Sequence, residues 1–328
     1  MRGQFDVRNL NLSRNLFLEE DVNRTSCRGL FQRMCAKAKA KPSKDENLSF
    51  FGETLVSAYR AAPYFLLAST AYFVSTRLLI SYCLTSVFGW PENHRNTHQA
   101  AESLVPLFHV GFLVPAIIDG FMTHKYNPSE HLSKASPKLQ DLFSAILLFC
   151  EGYMIYDFCF MLYFAIPKDS YWPVLETDIQ MFMVHHAMII CYISQARYYQ
   201  AGHMSAMMNM LLGELSNPLF NIYRFIKFGS EINFFNSGAL LLKFKTLIPV
   251  LYSLVYVPLR ALIGPIVCFA MTMNLLFFKE GQQNLPLWVR ILWSMMIWAV
   301  IFGSAGEIQD CITVLQEAFL SKTGQQEL

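Results

Sequence analysis

Residues 142–166 read LFSAILLFCEGYMIYDFCFMLYFAI, an apolar run interrupted by Ser144, Glu151, Gly152 and Asp157. A helix rises about 1.5 Å per residue, so a run of this length crosses a hydrocarbon core of about 30 Å. Working outward, six more stretches share the character: Tyr64 to Phe88, Leu104 to Met122, Ile179 to Tyr199, Met204 to Phe228, Leu247 to Phe278 and Leu287 to Ile312. Of the 328 residues, 54% are hydrophobic and 15% charged, with the charges gathered between the apolar runs. The chain therefore reads as an all-α polytopic membrane protein of about seven transmembrane helices. The Leu247 to Phe278 run exceeds what one crossing needs, and its Pro249, Pro258 and Pro265 predict a tilted, kinked helix or a re-entrant piece.

Outside these runs the chain offers little that could fold alone. Residues 1–50 hold ten Lys and Arg against six Asp and Glu, leaving 16 against 18 of the totals of 26 and 24 for the remainder. This segment lacks the apolar core of a cleaved signal and reads as a basic, loosely ordered tail. A membrane domain over residues 51–315 and a short polar tail over 316–328 complete the division. Eight cysteines without a C-x-x-C pair make no disulfide framework. His94 and His98, in WPENHRNTHQ, follow Pro91 and read as solvated loop histidines, so no metal is expected.

Polar groups inside the apolar runs point to function, because hydrocarbon cannot solvate them and each must meet a partner within the protein. His185 and His186 are adjacent, so on a helix they diverge by about 100°, and one can face a cavity while the other braces it. In GELSNPLFNIYR, Glu214, Asn217, Asn221 and Arg224 recur at i, i+3, i+7 and i+10, one helical stripe. Pro218 removes a backbone donor and loosens the helix near Glu214. Such a stripe is either the wall of a polar cavity or hydrogen-bonding glue between helices. Asp157, mid-run, needs a cation, which a histidine or Arg260 can supply. Arg77 and Glu307 lie nearer run ends and are expected to snorkel. Ala299, Gly303 and Gly306 let another helix approach closely.

These residues together resemble the TLC-domain family, which joins ceramide synthases, the translocon-associated TRAM proteins and lipid-homeostasis proteins. The marks are Tyr156-Asp157, His185-His186, GELSNPLFN and Leu259-Arg260 with Gly264-Pro265, in the family's order. The resemblance is nearest to the TLC-domain-containing transmembrane-protein branch and more distant to ceramide synthases, whose pattern here is H-D-x-S-D-x-x-L-E-x-x-K. Against that pattern Gly213 replaces His, Glu214 takes the first Asp, Asn217 and Asn221 replace two carboxylates, and Arg224 stands for Lys. The resemblance implies a TLC domain over about residues 95–315, six helices forming a barrel around a lipid cavity, with one span preceding it. It implies catalytic candidates His185, His186, Glu214 and Asp157, and lipid contacts at Asn217, Asn221, Arg224, Arg260 and Tyr156.

The function expected on this basis is binding or sensing of lipids in lipid homeostasis, in a multi-pass protein of the endoplasmic reticulum. The alternatives are an acyl-CoA-dependent acyltransferase, with acyl-CoA as substrate and no cofactor, and a cargo receptor of the secretory pathway. Membrane lipids are the expected partners, no nucleic acid is expected, and a homo-oligomer is left open.

Lys and Arg near the spans favour a cytosolic N-terminus. The sequons at Asn11, Asn23 and Asn47 should then stay unmodified in cells. A glycosidase-sensitive mass shift that disappears on Asn→Gln at these positions would reverse the topology.

Overall fold

A backbone amide in hydrocarbon finds no water, and this chain meets that constraint with helices. The computed structural model describes residues 47–91, 94–165, 177–232 and 239–324. Among them the extended backbone makes one isolated bridge, between His131 and Ala201. Most of the basic tail lies outside the described residues.

The described chain begins with a short helix, α1, at Phe50–Ala61. Ser49 caps it by accepting a hydrogen bond from the Gly52 amide, leaving its own N–H and hydroxyl to donate to Asp119 at 3.0 and 2.6 Å. Lys138 pairs with Glu53 at 2.5 Å, and Arg60 with Asp141 at 2.7 Å. These contacts lay α1 across the end of α3 (His94–Thr123) and the start of α4 (Pro137–Ala165). Helix α2, Phe65–Tyr82, runs on into a π turn at Cys83–Val87.

The remaining elements are α5 (Thr177–Tyr198), α6 (His203–Glu214), α7 (Asn217–Glu231), α8 (Ala239–Val257), a π turn (Pro258–Ile263), α9 (Gly264–Phe277), α10 (Lys279–Asn284), α11 (Leu287–Gly303) and α12 (Ala305–Gly324). Helix α2 packs on α4, α3 on α7, α4 on α5, α7 on α8, α8 on α12 and α9 on α11.

Among the described residues five helical stretches are long and apolar enough to cross a bilayer: Phe65–Val87, Thr97–Thr123, Pro137–Tyr163, Lys243–Phe277 and Leu287–Leu320. The other two expected spans differ for identifiable reasons. Helix α5 is continuous, but Gln180, His185, His186, Gln195 and Arg197 dilute its apolarity. The Met204 to Phe228 run is broken at Leu215-Ser216, because Pro218 has no N–H to give the Glu214 carbonyl and its ring crowds that oxygen. The long proline-rich run behaves as expected of a kinked helix. Pro258 opens the π turn, and Gly264 lets α9 press against Ile301 of α11.

A close crossing joins α2 to α4. Phe73, fully buried, meets Phe149 at 5.0 Å and Tyr153 at 5.2 Å between ring centroids. Gly152 makes this approach available, since a Cβ there would stand 2.7 Å from Ser69 Cβ and 3.1 Å from the Thr70 amide nitrogen. Gly152→Val should cost about 2 kcal/mol or more through overpacking, read as earlier thermal unfolding in detergent. Gly111→Ala, with open space around it, should leave the transition in place or raise it slightly.

Candidate functional site

Helices α4 and α5 bring Asp157 and His186 together, with Oδ2 3.1 Å from Nε2. The other ring nitrogen of His186, Nδ1, donates to the Phe182 carbonyl one turn earlier at 2.7 Å. A carbonyl and an ionised carboxylate both accept, so the ring donates from both nitrogens and the contact is an ion pair. His186 has no lone pair left over. His185 projects at a large angle, its ring 5.8 Å away and edge-on, and it forms no hydrogen bond to the described residues. Bracing thus falls to His186 and openness to His185.

The polar stripe survives the break between α6 and α7. Asn217 donates its side-chain N–H to Glu214 Oε2 at 2.8 Å, and Asn221 donates to the Asn217 carbonyl at 2.9 Å. Glu214 and Asn221 are both buried. Arg224 turns aside, its guanidinium 5.7 Å from the ring centres of both Phe220 and Phe228. Arg260 lies in the π turn against Gly213 and 5.7 Å from the Tyr256 ring centre. It does not pair with Asp157, whose cation is His186. Tyr156 is buried and accepts a hydrogen bond from Arg77 at 3.1 Å.

Three further residues enter this interior. His109 of α3 is fully buried, stacked on Tyr153 at 4.0 Å with rings 14° apart. Among the described residues neither of its nitrogens has a hydrogen-bond partner, although Nδ1 stands 3.9 Å from Glu214 Oε2. Glu102, two turns earlier on α3, is within electrostatic reach of Arg224, Asp157, Arg77 and His186. Arg77 does not snorkel as expected. It is 3% exposed, bonded to Tyr156 and to His98 at 3.1 Å, and it covers the Phe160 ring at 4.2 Å. His98 is correspondingly not a solvated loop histidine, because α3 begins at His94 and presents it to Arg77. Among the described residues no three His, Cys, Asp or Glu side chains come together as a metal site.

Below this cluster, towards α1, the helices close. Tyr192 stacks on Trp293 at 4.3 Å and bonds Ser205 at 2.8 Å, while the Trp293 indole donates to Gln195 at 2.8 Å. Gly202, at φ 77°, lies beneath the Trp293 ring, where a Cβ would collide with it. Glu151 is tied to Arg197 at 3.0 Å and to Ser194 at 2.5 Å.

The arrangement is a buried set of charges from at least five helices, partly paired and partly open. Compared with known families, the chain matches the TLC domain over residues 99–304. No curated protein and no solved structure matches it.

The two carboxylates should respond differently to neutralisation. Asp157→Ala strands a buried imidazolium and should cost roughly 3 kcal/mol of thermal stability. Glu214→Gln keeps an oxygen for Asn217 and should cost about 1 kcal/mol or less. Paired melting curves in one detergent check the order.

Proposed function

Because the chain belongs to the TLC-domain family, we propose that it is a multi-pass protein of the endoplasmic reticulum membrane that binds or senses lipids and contributes to lipid homeostasis. The proposed architecture has seven crossings, the five apolar ones together with α5 and the broken α6–α7. Six of them surround a lipid-accessible interior, with α2 outside. Neighbour packing supports this order: α3 on α7, α7 on α8, α8 on α12, α9 on α11, Trp293 of α11 on Tyr192 of α5, α5 on α4 and α4 on α3. Helix α2 leans on α4 and α3.

The observation that carries the reading is His109. A fully buried imidazole without a partner costs about 1–3 kcal/mol, and a ligand that hydrogen-bonds it offsets that cost. It lies beside Glu214, at the helix break, where the backbone is least regular. A lipid whose polar part reaches this depth would keep its chain against the apolar helices.

The geometry of the histidine pair favours a second reading, acyl transfer from acyl-CoA. A His185 nitrogen lone pair would attack the thioester carbon, forming a C–N bond as the C–S bond breaks and the thiolate leaves. The acyl group would then pass to an amine or hydroxyl of a membrane lipid, which loses a proton, and the imidazole is restored. His186, locked by Asp157, would hold positive charge beside the developing oxyanion. Asn217 and Asn221, where the ceramide synthases carry carboxylates, weigh against turnover, so binding is the first reading.

Membranes containing wild type, His185→Ala or His186→Ala, given labelled acyl-CoA and a panel of lipid amines and alcohols, separate the two. Binding alone predicts no label transfer in the wild type and changed lipid occupancy in the variants. Amide or ester formation by the wild type, abolished in His185→Ala while bound lipid remains, would replace the first reading by the second.

A further inference from the structure

Arg260 lies at the middle of the Lys243–Phe277 span, in the π turn that Pro258 opens. A guanidinium at that depth is costly unless an anion or several acceptors meet it. Among the described residues no carboxylate comes within salt-bridge distance of Arg260, and its Nε is buried without a hydrogen-bond partner. The Tyr256 ring, 5.7 Å away, offers a weak contact.

The guanidinium lies beside Gly213. A Cβ added there would meet Arg260 Nη2 at 3.8 Å, an ordinary contact, and within 4 Å no other side chain and no backbone of another helix among the described residues. Glu214 and His185 are within electrostatic reach of the same guanidinium. The Glu214 carboxylate is engaged instead by Asn217, and His185 leaves its ring free. A planar fork, an open wall at a glycine and an imidazole together suit a planar or tetrahedral oxyanion, which the fork can hold through two parallel hydrogen bonds.

Resting on the lipid-binding reading, we propose that Arg260 and the space at Gly213 receive the oxyanion, carboxylate or phosphate, at the head of a bound lipid. The lipid enters head-first, and its chain remains among the apolar helices. The pocket therefore selects for charge at the head.

The test uses the full chain in neutral-lipid nanodiscs, titrated with a long-chain fatty acid, the fatty alcohol of equal length, phosphatidic acid, diacylglycerol and inorganic phosphate, and read by native mass spectrometry. The expected result is that one acidic lipid binds about tenfold or more tighter than its neutral counterpart, and which acid does so names the oxyanion. Arg260→Gln should erase that preference, and Arg260→Lys should keep part of it. Gly213→Met fills the space beside the guanidinium while keeping its charge, and its Cβ meets no backbone of another helix, so it should fold and lose the acidic lipid while neutral lipid still binds. Equal binding of acidic and neutral lipids, or a preference that survives both Arg260→Gln and Gly213→Met, overturns the proposal and leaves lipid binding standing. Binding of inorganic phosphate with no lipid preference overturns the assignment to a lipid head. Binding of no lipid of either kind overturns this proposal together with the reading it rests on.

Discussion

The ion pair between His186 and Asp157 is the interaction on which the polar interior depends. It joins neighbouring helices at a depth where neither partner can be solvated, so each side chain is intelligible only through the other. Because the Phe182 carbonyl takes the second proton of His186, the ring is fixed in orientation as well as in charge. That pairing directs attention to the groups left over around it: His185, His109, Glu102 and Arg260. Around this pair, among the described residues, these side chains keep hydrogen-bonding capacity that the fold does not use up.

Much of this was legible in the sequence, and the reason is physical. Apolar length and the exclusion of charge mark a crossing whatever its neighbours are, so the five long apolar helices among the described residues all fall within the seven runs marked by composition. The kink of the long run follows from Pro258, and the break beside Glu214 from Pro218, since a missing N–H acts locally. The two histidines and Asp157 stand out because polar groups in apolar runs are conspicuous.

What stayed hidden depended on tertiary contact or on where a helix begins. Arg77 lies near the end of its run, where snorkelling is the reasonable expectation, yet Tyr156, His98 and Phe160 draw it inward. Glu102 precedes the apolar run starting at Leu104, so only the observed start of α3 at His94 places it two turns inside a helix. His109 carried the same signal as His185, a lone imidazole among apolar residues. Its significance emerges from Tyr153 and Glu214, 44 and 105 positions away in sequence.

The turns that separate this interior from the end bearing α1 have a further consequence. On α3, Leu113, Ala116 and Ile117 lie between His109 and His124; on α6, Met207 lies between His203 and Glu214; on α4, Ile146 and Leu147 lie below Tyr153; and all are fully buried. With Tyr192 and Trp293 stacked beside them, they form a closely packed, mainly apolar septum. Glu151 and Arg197, the charges at that depth, are committed to each other. Protons travel along files of titratable groups and water, and among the described residues this septum interrupts such a file. The polar interior is thereby set off, among the described residues, from the end of the bundle that bears α1, and opens towards one side of the fold only through groups above this layer.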